Sequence, residues 1–228
     1  DTTGGPVPSG QGVSFSTPNA PLNGSLDDVR IYNRALTNIE VATLVYNCNN
    51  VQGIPAHECR ALVALANSTH AEQWVASNQW LANSTPCNWF GVLCNNGHVI
   101  VLNLPQNRLS GALPPALSNL SELIVLNLAN NQLAGEIPFE LGNLGKLQTL
   151  DLYGNQLSGQ LPFTLGNLNQ LTTMRLYNNQ LRGPIPMQVA NLTKLLTLDL
   201  SYNTLTADVP TLIIFLNYQQ PDWATTQT

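Results

Sequence analysis

A sequence unit that recurs five times between residues 99 and 210, with a period of 24, constrains the fold of this chain more than any other feature. Four positions of the unit carry the recurrence: two apolar positions, one asparagine and a closing proline. They are Leu102, Leu126, Leu150, Met174 and Leu198; Leu104, Leu128, Leu152, Leu176 and Leu200; Asn107, Asn131, Asn155, Asn179 and Asn203; and Pro114, Pro138, Pro162, Pro186 and Pro210. A fixed period of this size predicts a solenoid, in which each repeat packs against its neighbours.

The second repeat shows what each position contributes. Leu126 and Leu128 alternate with outward residues, which is the periodicity of a strand with one buried face. Asn131 follows, and its buried amide is expected to bond backbone groups of its own coil and the adjoining one. Gly135 is expected to adopt a backbone angle that other residues resist. Pro138 suits an extended segment outside a central strand.

The stretch from Leu123 to Leu144 resembles the plant-type leucine-rich repeat, L-x-x-L-x-L-x-x-N-x-L-x-G-x-[IL]-P-x-x-L-x-N-L, at every fixed position. The last repeat departs from the pattern, with Ala207 in place of glycine and Val209 before Pro210. The resemblance implies an α/β-type repeat solenoid, a right-handed leucine-rich repeat superhelix over residues 99–216. It does not name a ligand, because one fold supports many functions.

Residues 59–98 resemble the N-terminal cap of the same family, with a helix beginning near Cys59 and the motif Pro-Cys-x-Trp-x-Gly-Val-x-Cys at 86–94. A cap hides the apolar end of a stack, and three of the four tryptophans lie between residues 74 and 89.

The four cysteines allow three disulfide pairings. Short loops and the family resemblance favour Cys87 with Cys94 and Cys48 with Cys59. Zinc, with His57 nearby, is the alternative, but the C-x-x-C spacing of most zinc sites is missing. Disulfides imply an oxidising, extracellular or cell-surface location.

The flanking segments do not repeat. The run Gly24–Leu36 resembles the C-terminal end of a laminin G-like, concanavalin-type β-sandwich, so residues 1–45 are interpreted as a remnant of such a domain. The sugar or calcium sites of that family lie on loops that this chain lacks. Residues 46–58 are interpreted as a linker and residues 217–228 as a tail, within a longer multidomain polypeptide.

Composition and motifs exclude several classes of function. Charged residues make up 9% of the chain, the net charge is −5 and no basic stripe occurs, which argues against nucleic acid. No apolar run approaches the roughly 20 residues of a membrane span. His57, His70 and His98 all lie in or near the cap without a catalytic motif. We therefore expect a protein that is not an enzyme and has no cofactor or metal.

The outward side of the strands carries the candidate ligand-binding residues. They are Asn127, Thr149, Asp151, Tyr153, Thr173, Arg175, Tyr177, Thr197 and Asp199. Strands about 4.8 Å apart would align Asp151, Arg175 and Asp199 in an alternating charge ladder, and the two tyrosines in a flat apolar platform. The alternative interpretation is a set of cross-strand pairs that only stabilise the sheet.

These observations predict a non-catalytic extracellular module that binds a protein, peptide or polysaccharide through the concave strand face. Exposed tyrosine and arginine are favoured in interface hot spots, which supports binding. The alternative is a structural or adhesive spacer in a large surface protein, without a discrete ligand.

Overall fold

The structure, a computed structural model, describes residues 46–227. The interpretation of residues 1–45 as a laminin G-like remnant lies outside the described residues. The α-helices of the described part lie at its two ends, α1 (Ala56–Ser68) and α2 (Pro210–Gln219). The strands between them are β1 (Val92–Asn95), β2 (His98–Asn103), β3 (Ser110–Gly111), β4 (Val125–Asn127), β5 (Gln132–Glu136), β6 (Thr149–Asp151), β7 (Gln156–Gly159), β8 (Thr173–Arg175), β9 (Gln180–Pro184), β10 (Thr197–Asp199) and β11 (Thr204–Thr206).

The main sheet has the strand order β1-β2-β4-β6-β8-β10. β1 is antiparallel to β2, and every later pair is parallel. Thr149 pairs with Thr173 and Thr173 with Thr197, so equivalent residues of successive repeats stand side by side. We call the outward side of this sheet the strand face. The predicted solenoid is confirmed.

A second sheet, with the order β11-β9-β7-β5-β3, runs beside the first and was not predicted from the sequence. Its strands contain glycine and polar residues, which have weak strand propensity. They pair because stacking places each one beside its equivalent in the next coil. Gly135, Gly159 and Gly183 have φ of +81°, +79° and +81°, which confirms the backbone role expected of the repeat glycine.

The recurrent asparagines join one coil to the next. The Asn131 side-chain oxygen accepts hydrogen bonds from the backbone N–H of Asn107 (2.9 Å) and Leu109 (3.0 Å). Its Nδ2 donates to the carbonyls of Leu104 and Leu128, both at 2.9 Å. The expected bonding to both coils is therefore confirmed. Similar bonds recur at Asn155, Asn179 and Asn203.

The N-terminal cap begins earlier than the sequence suggested. Residues 46–58 are not a separate linker, because Cys48 is bonded to Cys59 and Ile54 is buried. The Tyr46 hydroxyl donates to the Asn83 carbonyl, and its ring meets Trp89 edge to face at 5.5 Å. The disulfide therefore holds this segment against α1. A second disulfide joins Cys87 to Cys94, and the tryptophans Trp74, Trp80 and Trp89 form one packed cluster.

A buried carboxylate fastens the cap helix to the first sheet. Glu58, on α1, has no exposed surface. It accepts a hydrogen bond from the Val99 backbone N–H at 2.8 Å and contacts His98 Nδ1 at 2.6 Å. Buried charges need partners of this kind, so the contact ties α1 to β2 specifically. Glu58 lies outside the repeats and carries no periodic signal, so sequence reasoning missed it.

The C-terminal end is closed as well. Residues 217–227 are not a free tail: Trp223 is buried, and α2 extends to Gln219. Gln227 lies one repeat length after Asn203, at the next position of the asparagine column. Its Oε1 accepts from the Leu205 N–H (3.0 Å) and its Nε2 donates to the Leu200 carbonyl (3.1 Å). A glutamine thus continues the asparagine ladder beyond the last recognisable repeat.

Candidate ligand-binding site on the strand face

The strand face brings most of the candidate residues together on β6 and β8 and the turns that follow them. Along each short strand the middle residue enters the core and the two flanking residues face outward, because side chains alternate across a sheet. Thr149 and Thr173 form one column, and both are half-buried. Asp151, which is buried, and Arg175, which is half-buried, form a second column. Asn127 lies on the strand before them, and Thr197 and Asp199 on the strand after them.

Asp151 and Arg175 form an ion pair with an uneven environment. Arg175 Nη1 donates to both oxygens of Asp151, at 3.3 and 3.1 Å. The Arg175 side chain is 40% exposed, whereas that of Asp151 is only 10% exposed. Burial raises the pKa of the Asp151 carboxyl, and Arg175 partly opposes this increase. The mostly buried Asp151 therefore fixes the position of the more exposed Arg175 side chain. Within residues 46–227, both side-chain hydrogen bonds of Arg175 are donated by Nη1.

Asp199 stands in register beside Arg175, as the charge ladder predicts, but the hydrogen bonds of its carboxylate involve other partners. Asp199 Oδ1 accepts hydrogen bonds from the Ser201 backbone N–H (3.0 Å) and from Gln220 Nε2 (3.4 Å). The Ser201 bond is the local one that Asn127 also makes with Ala129. Asp199 lies on the last strand of the main sheet, where Gln220 of the closing segment supplies a donor that an inner strand lacks. Arg175 is therefore oriented by Asp151 from one side rather than held between two carboxylates.

The tyrosines do not form the predicted flat platform. The Tyr153 and Tyr177 rings stack face to face, with centroids 4.4 Å apart and planes 8° from parallel. The strand spacing, about 4.8 Å, brings equivalent rings to stacking distance. Each ring covers one face of the other, so the pair offers its edges, hydroxyls and outer faces. Burial raises the pKa of the Tyr177 hydroxyl, and Tyr153 raises it further.

Small residues occupy the same column on either side of the tyrosine stack. Ala129 precedes Tyr153 by one repeat length, and Ser201 follows Tyr177 by the same interval. Both are buried, with 0% and 9% of their surface exposed. The column therefore changes from a small residue to a large ring and back again.

Asn127 is already satisfied within the sheet. Its Nδ2 donates to Asn103 Oδ1 (2.8 Å), and its Oδ1 accepts from the Ala129 N–H (3.1 Å). This candidate residue therefore has fewer free bonding groups to offer than Arg175.

Family profiles match the described part of the chain in sequence order. The leucine rich repeat N-terminal domain matches residues 55–95. Leucine Rich Repeat matches 98–120 and 170–192, and Leucine Rich repeats (2 copies) matches 121–164.

Solved structures extend this agreement to three dimensions. The BIR2 ectodomain of Arabidopsis thaliana is 34% identical, with a TM-score of 0.63 over 68% of this chain and 84% of that one. The BIR3–SERK2 complex of the same plant gives 33% identity and a TM-score of 0.58, over 67% and 85%. A plant ice-binding protein is 29% identical, with a TM-score of 0.64 over 71% of this chain and 53% of that one. The chain belongs to the plant-type leucine-rich repeat family. Within it, the chain is similar to the ectodomains of plant receptor kinases.

Curated relatives match over short stretches only. A probable inactive leucine-rich repeat receptor kinase of Oryza sativa subsp. japonica, XIAO, is 48% identical over 53 residues, which is 22% of this chain and 5% of that protein. The chain likewise matches 5% of the probable inactive receptor kinase RLK902 of Arabidopsis thaliana.

The similarity to receptor ectodomains and the two disulfides together indicate an extracellular or cell-surface location. Among residues 46–227, every helix is too short or too polar to cross a membrane.

Proposed function

We propose that this chain is a non-catalytic extracellular module that binds a protein or peptide through its strand face. The observation that carries the proposal is the position of Arg175, half-exposed above a mostly buried carboxylate and beside a stacked tyrosine pair. The similarity to the BIR3–SERK2 complex, an assembly of two proteins, supports this class of partner.

The geometry favours a ligand that combines an acceptor with an apolar group. The guanidinium N–H groups that do not face Asp151 suit a carboxylate or a backbone carbonyl of the ligand, since arginine donates through a planar fork. The outer faces and edges of the tyrosine rings suit an apolar or aromatic side chain. Arg175 lies on a paired strand, and the carbonyls of both tyrosines, in the turns that follow β6 and β8, accept backbone hydrogen bonds from the preceding coil, so the backbone loses little freedom on binding.

The test is selection of ligands from a displayed peptide library, followed by affinity measurements on variants of the full chain. Arg175→Ala and Tyr177→Ala should each weaken binding by about 2 kcal/mol, as hot-spot residues do. Arg175→Lys should also weaken it, since an ammonium group lacks the fork geometry. Lys194→Ala is the matched control, because that exposed lysine bonds Gln170 elsewhere on the coils.

Ligands that bind Arg175→Ala and Tyr177→Ala as tightly as the unaltered chain would contradict the proposal. The strand-face pairs would then serve as scaffold. A library that yields no ligand would favour the spacer interpretation.

A second candidate function is binding to an ice surface. The similarity to a plant ice-binding protein suggests it, together with the in-register row Thr149, Thr173 and Thr197. Hydroxyl and methyl groups repeat along this row at about 4.8 Å, as on a crystalline surface. Arg175 and Tyr177 interrupt the flat surface beside it, so we prefer the peptide proposal. Freezing-point hysteresis that disappears in Thr173→Lys but persists in Arg175→Ala would reverse that preference.

A further inference from the structure

A groove of about 960 Å³ lies away from the strand face, along the second sheet and the turns that follow it. The turns are 3₁₀ helices of five residues, one per coil, and each begins directly after the proline that closes its repeat unit. They span Pro115–Asn119, Phe139–Asn143, Phe163–Asn167 and Met187–Asn191. The groove crosses these coils rather than following one of them, so the stacked array itself creates it.

An exposed apolar column runs along this groove. Phe139 and Phe163 line it, and Met187 continues their column beside Pro186 at its end. The three side chains occupy equivalent positions in successive repeats and are 62%, 61% and 57% exposed. Scattered exposed apolar residues are normal, but three large ones in consecutive coils form a continuous patch.

The fold does not require these three side chains. Each turn is anchored instead by a buried apolar residue two positions later in the chain. The anchors are Leu141, Leu165 and Val189, all without exposed surface. The exposed column is therefore available for contact with another molecule.

The charges at the two ends of this column have opposite signs. Glu136 and Glu140 flank Phe139 in the chain, and Arg182 lies shortly before Met187. Among the residues that line the groove, Glu136, Glu140 and Arg182 are the charged ones, and the uncharged Gln160 lies between them. The surface is therefore acidic, then neutral and apolar, then basic along the stack.

We propose that this groove docks a second copy of the same chain about a two-fold axis at Phe163. A two-fold axis across the column reverses the order of the coils in the second copy. Phe163 then meets its own equivalent, and Phe139 meets Met187 of the other copy. Glu136 lies beside Arg182 of the other copy, and the two-fold axis repeats this pair. A gradient from acidic to basic is complementary to itself in that antiparallel arrangement alone.

Symmetry and size both fit this occupant. Two-fold dimers are the commonest closed assemblies, and their interfaces use the same patch on both copies. Three side chains per copy make a small interface, so the dimer should be weak and its population should depend on concentration. The strand face takes no part, so the inference is independent of the proposed ligand.

Sedimentation equilibrium of the full chain over a wide concentration range tests the proposal. The unaltered chain should show a monomer–dimer equilibrium. Phe163→Asp should raise the dissociation constant at least about tenfold, because it places a charge at the centre of the interface. Leu196→Asp is the matched control, since Leu196 is 81% exposed but does not line the groove. Thermal melts would show that each variant is folded.

Charge exchange tests the two-fold pairing itself. Glu136→Arg alone and Arg182→Glu alone should each weaken the dimer, since each places like charges together at both contacts. An equimolar mixture of the two variants should recover it, because each copy then carries charges opposite to those of its partner. A monomeric unaltered chain, a dimer lost equally in Leu196→Asp, or a mixture without recovery would overturn the proposal.

Discussion

The two ends of this solenoid must both cover an apolar coil, and they do so with different chemistry. The N-terminal end uses two disulfides, three clustered tryptophans and the buried Glu58. The C-terminal end uses α2, the single buried Trp223 and side-chain amides that bond the last coil. The N-terminal end has its own disulfides and matches a family profile of its own, whereas the C-terminal end prolongs the bonding pattern of the repeat.

The difference teaches where stability is concentrated. In a stack with nearest-neighbour coupling, loss of an end exposes the next coil. The N-terminal cap resists this through covalent bonds and a buried carboxylate. The C-terminal cap relies on the packing of α2 and Trp223 and on ordinary hydrogen bonds, each contributing about 1 kcal/mol. We therefore expect unfolding to begin at the C-terminal end.

The largest expected effect follows removal of the disulfide at the N-terminal end. Cys48→Ala with Cys59→Ala should lower the free energy of unfolding by about 3 kcal/mol, because the segment before α1 is no longer tied to it. Urea unfolding followed by tryptophan fluorescence measures this. A Trp223→Phe background restricts the signal to the cap tryptophans. An unchanged midpoint would show that packing of Tyr46 and Ile54 suffices.

Glu58→Ala is expected to have the next largest effect. It leaves the buried N–H of Val99 without its acceptor and removes the contact to His98. The cost should be about 2 kcal/mol, which is typical of an unsatisfied buried group. Glu58→Gln is the matched control, since it keeps an acceptor oxygen and should cost less. Equal losses in both variants would show that the charge, not the acceptor, matters.

At the other end, Gln227→Ala should cost about 1 kcal/mol, because it removes an acceptor from Leu205 and a donor to Leu200. Gln132→Ala, at an exposed glutamine in the second sheet, is the control and should change little. Hydrogen exchange at the Leu205 amide gives a direct measurement. Equal protection of the Leu205 amide against hydrogen exchange in Gln227→Ala and the unaltered chain would show that Gln227 does not act as the ladder asparagines do.

Asp151, remote from both ends, gives the smallest expected effect and a pH test. Its pKa is raised in the folded chain, so its contribution to stability is present below the unfolded pKa, about 3.9, and is lost as pH rises through the folded pKa. Relative to Asp151→Asn, the unaltered chain should therefore lose stability as pH rises through this range. Arg175→Ala should enlarge the loss, because Arg175 opposes the raised pKa. Melting temperatures across a pH series measure both. A difference of the opposite sign would mean that the ion pair outweighs burial.

The sequence by itself determined the periodic part of this protein. Leucine columns, asparagine ladder and turn glycine recur at a fixed interval, and that period allows one arrangement in which equivalent residues become neighbours. For the same reason the sequence placed Asp151 beside Arg175 and Tyr153 beside Tyr177.

Only the tertiary structure decided what lies outside the period or depends on orientation. Glu58 gives no periodic signal, because its partner Val99 is 41 residues distant in the chain. Gln227 occupies the next position of the asparagine column, but a glutamine does not match the repeat there, and only the structure shows its bond to Leu205. The tyrosine rings are neighbours in either arrangement, but packing against each other decided that they stack rather than lie flat. Asp199 stands beside Arg175 but accepts a hydrogen bond from Gln220, because the closing segment brings that amide within reach. Periodicity identifies which residues are neighbours, whereas burial and competing hydrogen-bond partners decide which contacts those neighbours make.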